Sequence, residues 1–477
     1  MRLLRTLSVV ALVAVTTALP QAKGQSPAPD VFSLLRSIDD TAAHRVWPEF
    51  RLSDLPIALF DGAQTLLLRH PSPPPEFVPL EGHPGVLTAK GRYPAVVTNS
   101  TVDLNGVRTA TVVAAPGTDR EGTMLAYAEE VFHVFWLRRH ANFCPNEMAR
   151  YAYPVKNGEN LRRLLAEDEA LARGLEAVDT RQAAEWVAKA LELRRERGPM
   201  LSPDDRAYET GLEMMEGTAN YAARALVGLT PADTATRLRQ GRQAEQLRWR
   251  FYDSGAAICL LLDRLEKANP SSGLDWKARI DAEPDTTTLM LLEAAAAPTG
   301  ARQASFSPAE RAGFEAAAAA AIGDLSARQA KVRQELLGRK GARIVIDVPN
   351  AAQPLRVARF DPINLLVLDA GEVVHPRFLT LSGTAGTIEV VNPAFARGAF
   401  TGVVALTQPA GSHPLAQGIR SVTLTGFARA PTLDRPDGRL VVKADGVHHS
   451  LSGAEARVEG ETVRIILPAG RHSPEPR

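Results

Sequence analysis

The segment Met124-Leu-Ala-Tyr-Ala-Glu129-Glu130-Val-Phe-His133-Val-Phe-Trp136-Leu137 constrains this chain more than any other. Apolar and aromatic side chains fill nearly every other position, so a helix here is apolar on most sides and belongs in a protein interior. Two carboxylates and an imidazole go in with it, which is costly unless they find partners. Glu129 and His133 are i and i+4 and point from one face towards a common point. Glu130, three residues before His133, leans over the same spot.

The rest of the composition is that of an ordinary globular protein, with 45% hydrophobic and 23% charged residues in 477. At ~100–200 residues per domain the length allows about two to four domains. Lys+Arg 55 against Asp+Glu 54 gives a formal net charge of +1. That balance argues against a chain-wide basic surface for nucleic acid and against an acidic solvating tail. Arg2 and Arg5 precede an apolar run from Leu7 to Leu19 and then small residues. This is the n-region and h-region of a secretory signal peptide, and ~13 apolar residues are too few to span a bilayer. Cleavage is expected after Ala22 or Ala18. Loss of Arg2 and Arg5 takes the 55 basic groups to 53 against 54 acidic ones, a net of −1. No later run of 18 apolar residues follows, so no membrane insertion is expected after cleavage, and the location expected is periplasmic or secreted. Cys144 and Cys259 allow at most one disulfide, and the apolar AAICLLL context of Cys259 equally suits a buried thiol. A metal would have to use His and carboxylates.

After residues 1–22, a polar lead-in covers 23–43. Residues 44–118 carry short β-prone runs, with Asp61-Gly62 and Asn105-Gly106 as type I′ hairpin signals. Residues 119–340 show helical periodicity over 123–141, 159–177, 181–197, 203–228, 233–268 and 308–339. Ser202-Pro203-Asp204-Asp205 and Ser307-Pro-Ala-Glu310 are helix starts. From 341 to 470 the period becomes two, with about eight strands, and 471–477 form a tail. The expected class is α+β: an N-terminal β-hairpin sheet, a central all-helical domain and a C-terminal antiparallel β-sandwich.

Glu129-Glu130-Val-Phe-His133 has the spacing of the H-E-x-x-H helix, with Glu at the first position. Further on, Glu213, Glu216 and Asn220 follow i, i+3, i+7 spacing and would share a face. Across roughly residues 123–265 the chain resembles the zincin-like metallopeptidases of the gluzincin, peptidase-MA-like type found among secreted bacterial proteins. The stretches EEVFHVFW, EGTANY and YDSGAAICLLLDRL carry the resemblance. It implies Glu129, His133 and Glu216 as ligands of one divalent metal and Glu130 as the general base. Zinc is the metal implied first, with manganese or iron as alternatives, because carboxylate-rich ligation favours harder ions. One His and two Glu leave a zinc site neutral where two His and one Glu leave it at +1, so bound water is acidified less.

Other readings compete. The acidic pair could face solvent or pair with Arg138 or Arg139, and Glu213 could replace Glu216 as a ligand. Glu130-x-x-His133 is also half of a di-iron bundle motif, but its only companion, Glu372-Val-Val-His375, has strand character. Tyr221, Tyr252 and Arg150 are further candidates for substrate contacts. Acidic 167–169 and basic 194–197 suit solvated faces or inter-helix ion pairs, and the Arg-rich stretch 237–250 suits a half-exposed helix. The expected function is an exported metallohydrolase acting on a peptide or protein substrate. The alternative is a catalytically degenerate zincin scaffold that binds a ligand in the cell envelope. When the full chain is expressed in an exporting host, N-terminal sequencing of the released protein should begin at Lys23 or Leu19. A product still beginning at residue 1 or 2 overturns the signal peptide.

Overall fold

Aliphatic runs between Pro56 and Ala114 pair into a six-stranded sheet of order β3-β4-β2-β1-β6-β5. The strands are β1 (Ile57–Phe60), β2 (Gln64–Leu68), β3 (Val78–Pro79), β4 (Val86–Lys90), β5 (Ser100–Leu104) and β6 (Val107–Val113). The β1–β6 pair is parallel and the others are antiparallel. This computed structural model describes residues 40–114, 119–240, 244–296, 304–348, 355–368, 372–391, 402–406, 419–427, 429–444 and 447–468. The proposed signal peptide, most of the lead-in and the tail lie outside them. Asn105 and Gly106, at φ 49° and 79°, make the expected type I′ turn between Leu104 and Val107. Asp61-Gly62 makes a wider one. Phe60 pairs with Thr65, and the Asp61 carboxylate accepts the Ala63 and Gln64 amides at 2.8 Å, so the Asp side chain shapes the turn.

Helix α1 (Asp40–Val46) takes up the end of the expected lead-in and delivers Trp47 to the core. There its ring meets Phe132 and Trp136 edge-on at 5.8 and 5.5 Å between centroids. Those rings belong to α2 (Arg120–Arg139), capped by Asp119, which packs against β6 on one side and a later helix on the other. Cover on both sides explains the apolar character of nearly its whole circumference.

The following helices are α3 (Gly158–Glu176), α4 (Thr180–Arg197), α5 (Pro203–Leu212), α6 (Thr218–Val227), α7 (Pro231–Arg239), α8 (Leu247–Ala268), α9 (Trp276–Ala282), α10 (Thr288–Ala296) and α11 (Pro308–Gly338). Ser202 and Asp205 form the expected capping box, and Ser307 and Glu310 exchange the same pair of bonds. The single helix expected over 233–268 is two, since α7 ends at Arg239 with Gln240 extended before Gly241, a poor helix former. Between α5 and α6 the helix continues, but Glu213–Gly217 wind as a π turn. Among the described residues no helix is long and apolar enough to cross a membrane.

The described chain divides into two compact units. The first runs to Asn146 and resumes over Val155–Ala320; the second is Glu147–Pro154 with the described residues from Ala321 onward. In the second unit, β7 (Ala342–Asp347), β9 (Leu366–Val367), β10 (Glu372–His375), β13 (Gly402–Leu406), β14 (Ile419–Phe427), β18 (Glu455–Glu459) and β19 (Thr462–Ile466) form one sheet. A second holds β8 (Arg356–Phe360), β11 (Phe378–Gly383), β12 (Gly386–Val391), β15 (Thr432–Asp434), β16 (Arg439–Ala444) and β17 (Val447–Ser452). Pairing is antiparallel except between β19 and β7. Ile344 and Val422 from the first sheet and Leu379 and Ile388 from the second share one buried cluster. EVVH buries three consecutive residues and so breaks the in–out alternation on which period-two patterning relies.

The charged stretches 167–169 and 194–197 form buried ion pairs between helices. Glu167 lies within 2.7 Å of Arg194 Nε, 3.1 Å of Arg197 Nε and 2.9 Å of Arg250 Nη2, tying α3 to α4 and α8. Arg197 also grips Glu209 of α5 through two bonds of 2.9 Å. Burial alone would raise the Glu167 pKa, but the cations of Arg194, Arg250 and Arg197 carry it well below the usual carboxylate range. A depressed carboxylate stabilises the fold above its unfolded value of about 4.3 and loses that contribution as pH falls through the folded value. Glu167→Gln should cost about 3–5 kcal/mol in urea unfolding at neutral pH, by leaving buried guanidinium groups under-compensated. Below pH ~4 its stability should fall less steeply than that of the wild type. Equal stabilities at neutral pH would refute this role for the network.

Candidate metal centre

Glu129, Glu130 and His133 occupy successive turns of α2, where the i, i+4 spacing sets Glu129 and His133 on one face. Glu130 and His133 are each 1% exposed and Glu216 is fully buried, whereas Glu129 keeps partial access to solvent. Packing of α6 on α2 brings the Glu216 turn to this face. His133 Nε2 then lies 3.2 Å from Glu216 Oε2. Glu129, His133 and Glu216 each present one ligand atom to a group whose members all lie within 4.8 Å of one another.

The π turn decides which acid arrives. Under α-helical winding Glu213 and Glu216 would share a face; the i→i+5 turn swings them apart. Glu213 turns to Arg194, with two bonds of 2.6 Å, and accepts from Ser254 Oγ at 2.5 Å. It is therefore committed elsewhere. Glu216 turns to His133. The expectation of a shared face fails because a 3.6-residue period cannot register a π turn.

Gly217 and Gly255 let this turn lie against α8. A Cβ on Gly217 would stand 2.5 Å from the Gly255 Cα, and one on Gly255 would stand 2.6 Å from the Glu213 carbonyl oxygen. At that separation α8 delivers Arg248, whose Nη2 donates to Glu216 Oε1 at 2.9 Å and whose Nη1 donates to the Tyr252 hydroxyl. The half-exposed character expected over 237–250 holds at 237–240, where Arg237 is 45% exposed, but fails at the start of α8, where Arg248 and Arg250 are each 2% exposed. Arg248 escaped the sequence reading; its i, i+4 pairing with Tyr252 in an otherwise apolar, small-residue helix was the available signal.

Burial and the Glu216 charge raise the Glu129 carboxyl to about 7 against the pull of His133, Arg224 and Arg237. Glu130 is pushed well above its ordinary value by burial and by its two acidic neighbours. Burial would raise Glu216 too, but Arg248 and the contact with His133 hold it below the usual value.

The donor set suits a divalent cation. Glu130 Oε2, Glu216 Oε2 and both His133 ring nitrogens are buried and make no properly oriented hydrogen bond. The 3.2 Å between His133 and Glu216 is close to the ~3.3 Å separating two ligands at ~2.0–2.1 Å in a tetrahedron. Arg248 occupies the other Glu216 oxygen, leaving Oε2 for an ion. An imidazole with two carboxylates suits zinc, and manganese or iron as well.

Of the competing sequence readings, Arg139 pairs with Glu49 at 2.6 Å and not with the acids of its own helix. Tyr221 bonds Asp263 at 2.6 Å, Tyr252 stands beside Glu216, and Arg150 belongs to the second unit. Glu372 and His375 lie in strand β10. Cys144 is exposed and Cys259 buried, and both are free thiols, so no disulfide links them. The chain matches no family, no curated protein and no solved structure with which it was compared.

Gly255→Ala should cost at least about 1–3 kcal/mol of stability through overpacking and separate Arg248 from Glu216. Gly198→Ala, with open space at its Cβ, serves as the control. Urea unfolding of both variants checks the crossing, and equal effects would refute it.

Proposed function

We propose that this chain is an exported zincin-like metallohydrolase acting on peptide bonds. The observation that carries the reading is the convergence of Glu129, His133 and Glu216, with unpartnered ligand atoms inside an apolar helix packing. These three residues would hold one divalent metal, zinc first and manganese or iron as alternatives. Such an ion supplies Lewis acidity towards a carbonyl and towards water. Glu130, adjacent to Glu129 in the chain and sharing its neighbourhood, takes the proton from the attacking water and returns it to the leaving amine. Arg248 holds Glu216 in place and leaves it a single oxygen to offer. The two β-sheets of the second unit are read as an accessory antiparallel sandwich.

A second reading, a scaffold that binds without catalysis, draws on the same arginine. Arg248 already compensates Glu216, and Glu129 in place of a His lowers the charge of any bound ion's site.

Elemental analysis of the purified mature protein after incubation with zinc separates these readings. The wild type should hold about one equivalent, and Glu129→Gln and His133→Asn should hold far less. Glu130→Gln should keep the metal and lose about 10²–10⁴-fold in hydrolysis of a peptide library. Metal without hydrolysis in the wild type supports the scaffold. No uptake of zinc, manganese or iron overturns the metallohydrolase and leaves the binding scaffold.

A further inference from the structure

We propose that Arg237 receives a carboxylate carried by the substrate beside the scissile bond, an inference that rests on the metallohydrolase reading above. Glu216, Asn220 and Arg224 follow one another at i, i+4 and i+8 from the π turn into α6. Asn220 Nδ2 donates to the Tyr252 carbonyl at 3.0 Å and lies 3.4 Å from Asp253 Oδ1. That same buried oxygen receives Arg224 Nη2 at 3.3 Å and Arg237 Nε at 3.0 Å. Arg237 is thus reached from the metal-side acid through one turn of helix and two contacts. Its positive charge, with that of Arg224, acts on Glu129, the ligand open to solvent.

The two arginines differ in what they have left to offer. Arg224 is buried and turned inward, with Nε on Asn220 at 2.8 Å and Nη1 on Thr234 at 3.2 Å. Arg237 is 45% exposed, anchored only through Nε, and its Nη1 and Nη2 have no partner among the described residues. A guanidinium held by its Nε with both terminal nitrogens presented outward is the fork that matches a carboxylate.

Arg237 shares one oxygen of Asp253 with Arg224, so its two terminal nitrogens are the ones left for an incoming anion. The carboxylate is either the C-terminus of a peptide or an acidic side chain.

The test uses the zinc-loaded mature protein and calorimetric binding of dipeptide hydroxamates in two matched pairs. One pair compares a free C-terminal carboxylate with its amide; the other compares Glu with Gln in an amidated ligand. In the wild type one carboxylate ligand should bind about tenfold or more tightly than its neutral partner, and the pair that shows this identifies the source. Arg237→Gln should reduce that preference to within about twofold at unchanged zinc content, and Arg237→Lys should keep part of it. Equal binding of charged and neutral ligands by the wild type overturns the inference, as does a preference that survives in Arg237→Gln. Failure of the wild type to take up zinc overturns the underlying function instead.

Discussion

Gly217 and Gly255 meet backbone to backbone, and the approach this permits lets one helix neutralise another's buried acid. A methyl group at either position would force α8 away from the π turn. Arg248 would then no longer reach Glu216, and a fully buried carboxylate would stand beside two more on α2. The same crossing puts Ser254 against Glu213, which Arg194 also holds, so both acids of the π turn are fixed by one contact. The buried arginines extend this fixation outward. Arg194, Arg197 and Arg250 converge on Glu167, and Arg197 continues to Glu209 on the helix leading into the π turn. A site held by interior ion pairs on helices has little freedom to drift, which is what ligand placement requires.

Much of this site was legible within single helical turns and little of it between them. The i, i+4 relation of Glu129 and His133 follows from helix geometry alone, and an apolar surround marked them as buried. Glu216 was reached through resemblance to a spacing pattern, and Glu213 stood as its rival because both obey the α-helical period. Only the π turn separates them, and five residues of altered winding leave no trace in hydrophobic periodicity. The Arg-rich stretch 237–250 is half-exposed at its start, as expected, but its end in α8 is buried, and the expectation fails there for a different reason. Arginine lowers the apparent hydrophobicity of α8 and suggests a solvated face, whereas these arginines are partnered by acids more than 30 positions away in the chain. Partnership of that kind is tertiary. Likewise β10, whose EVVH buries three residues in a row, earns its place as a strand by pairing with β9 and β13 and not by its own alternation.

The acid at position 129 becomes intelligible against the cations around it. Arg224 and Arg237 share one oxygen of Asp253, Arg224 also feels Asp233, and both cations pull the Glu129 carboxyl down against its burial. A histidine at 129 would set an imidazole beside these cations, with His133 and Arg248 close by. A glutamate reverses the sign. It is drawn to the arginines, while burial, the larger influence, pushes its carboxyl up. A carboxylate at 129 and the Arg224–Arg237 pair are therefore electrostatically complementary, and under the proposed function the acidic face would take the ion and Arg237 the anion carried by the substrate.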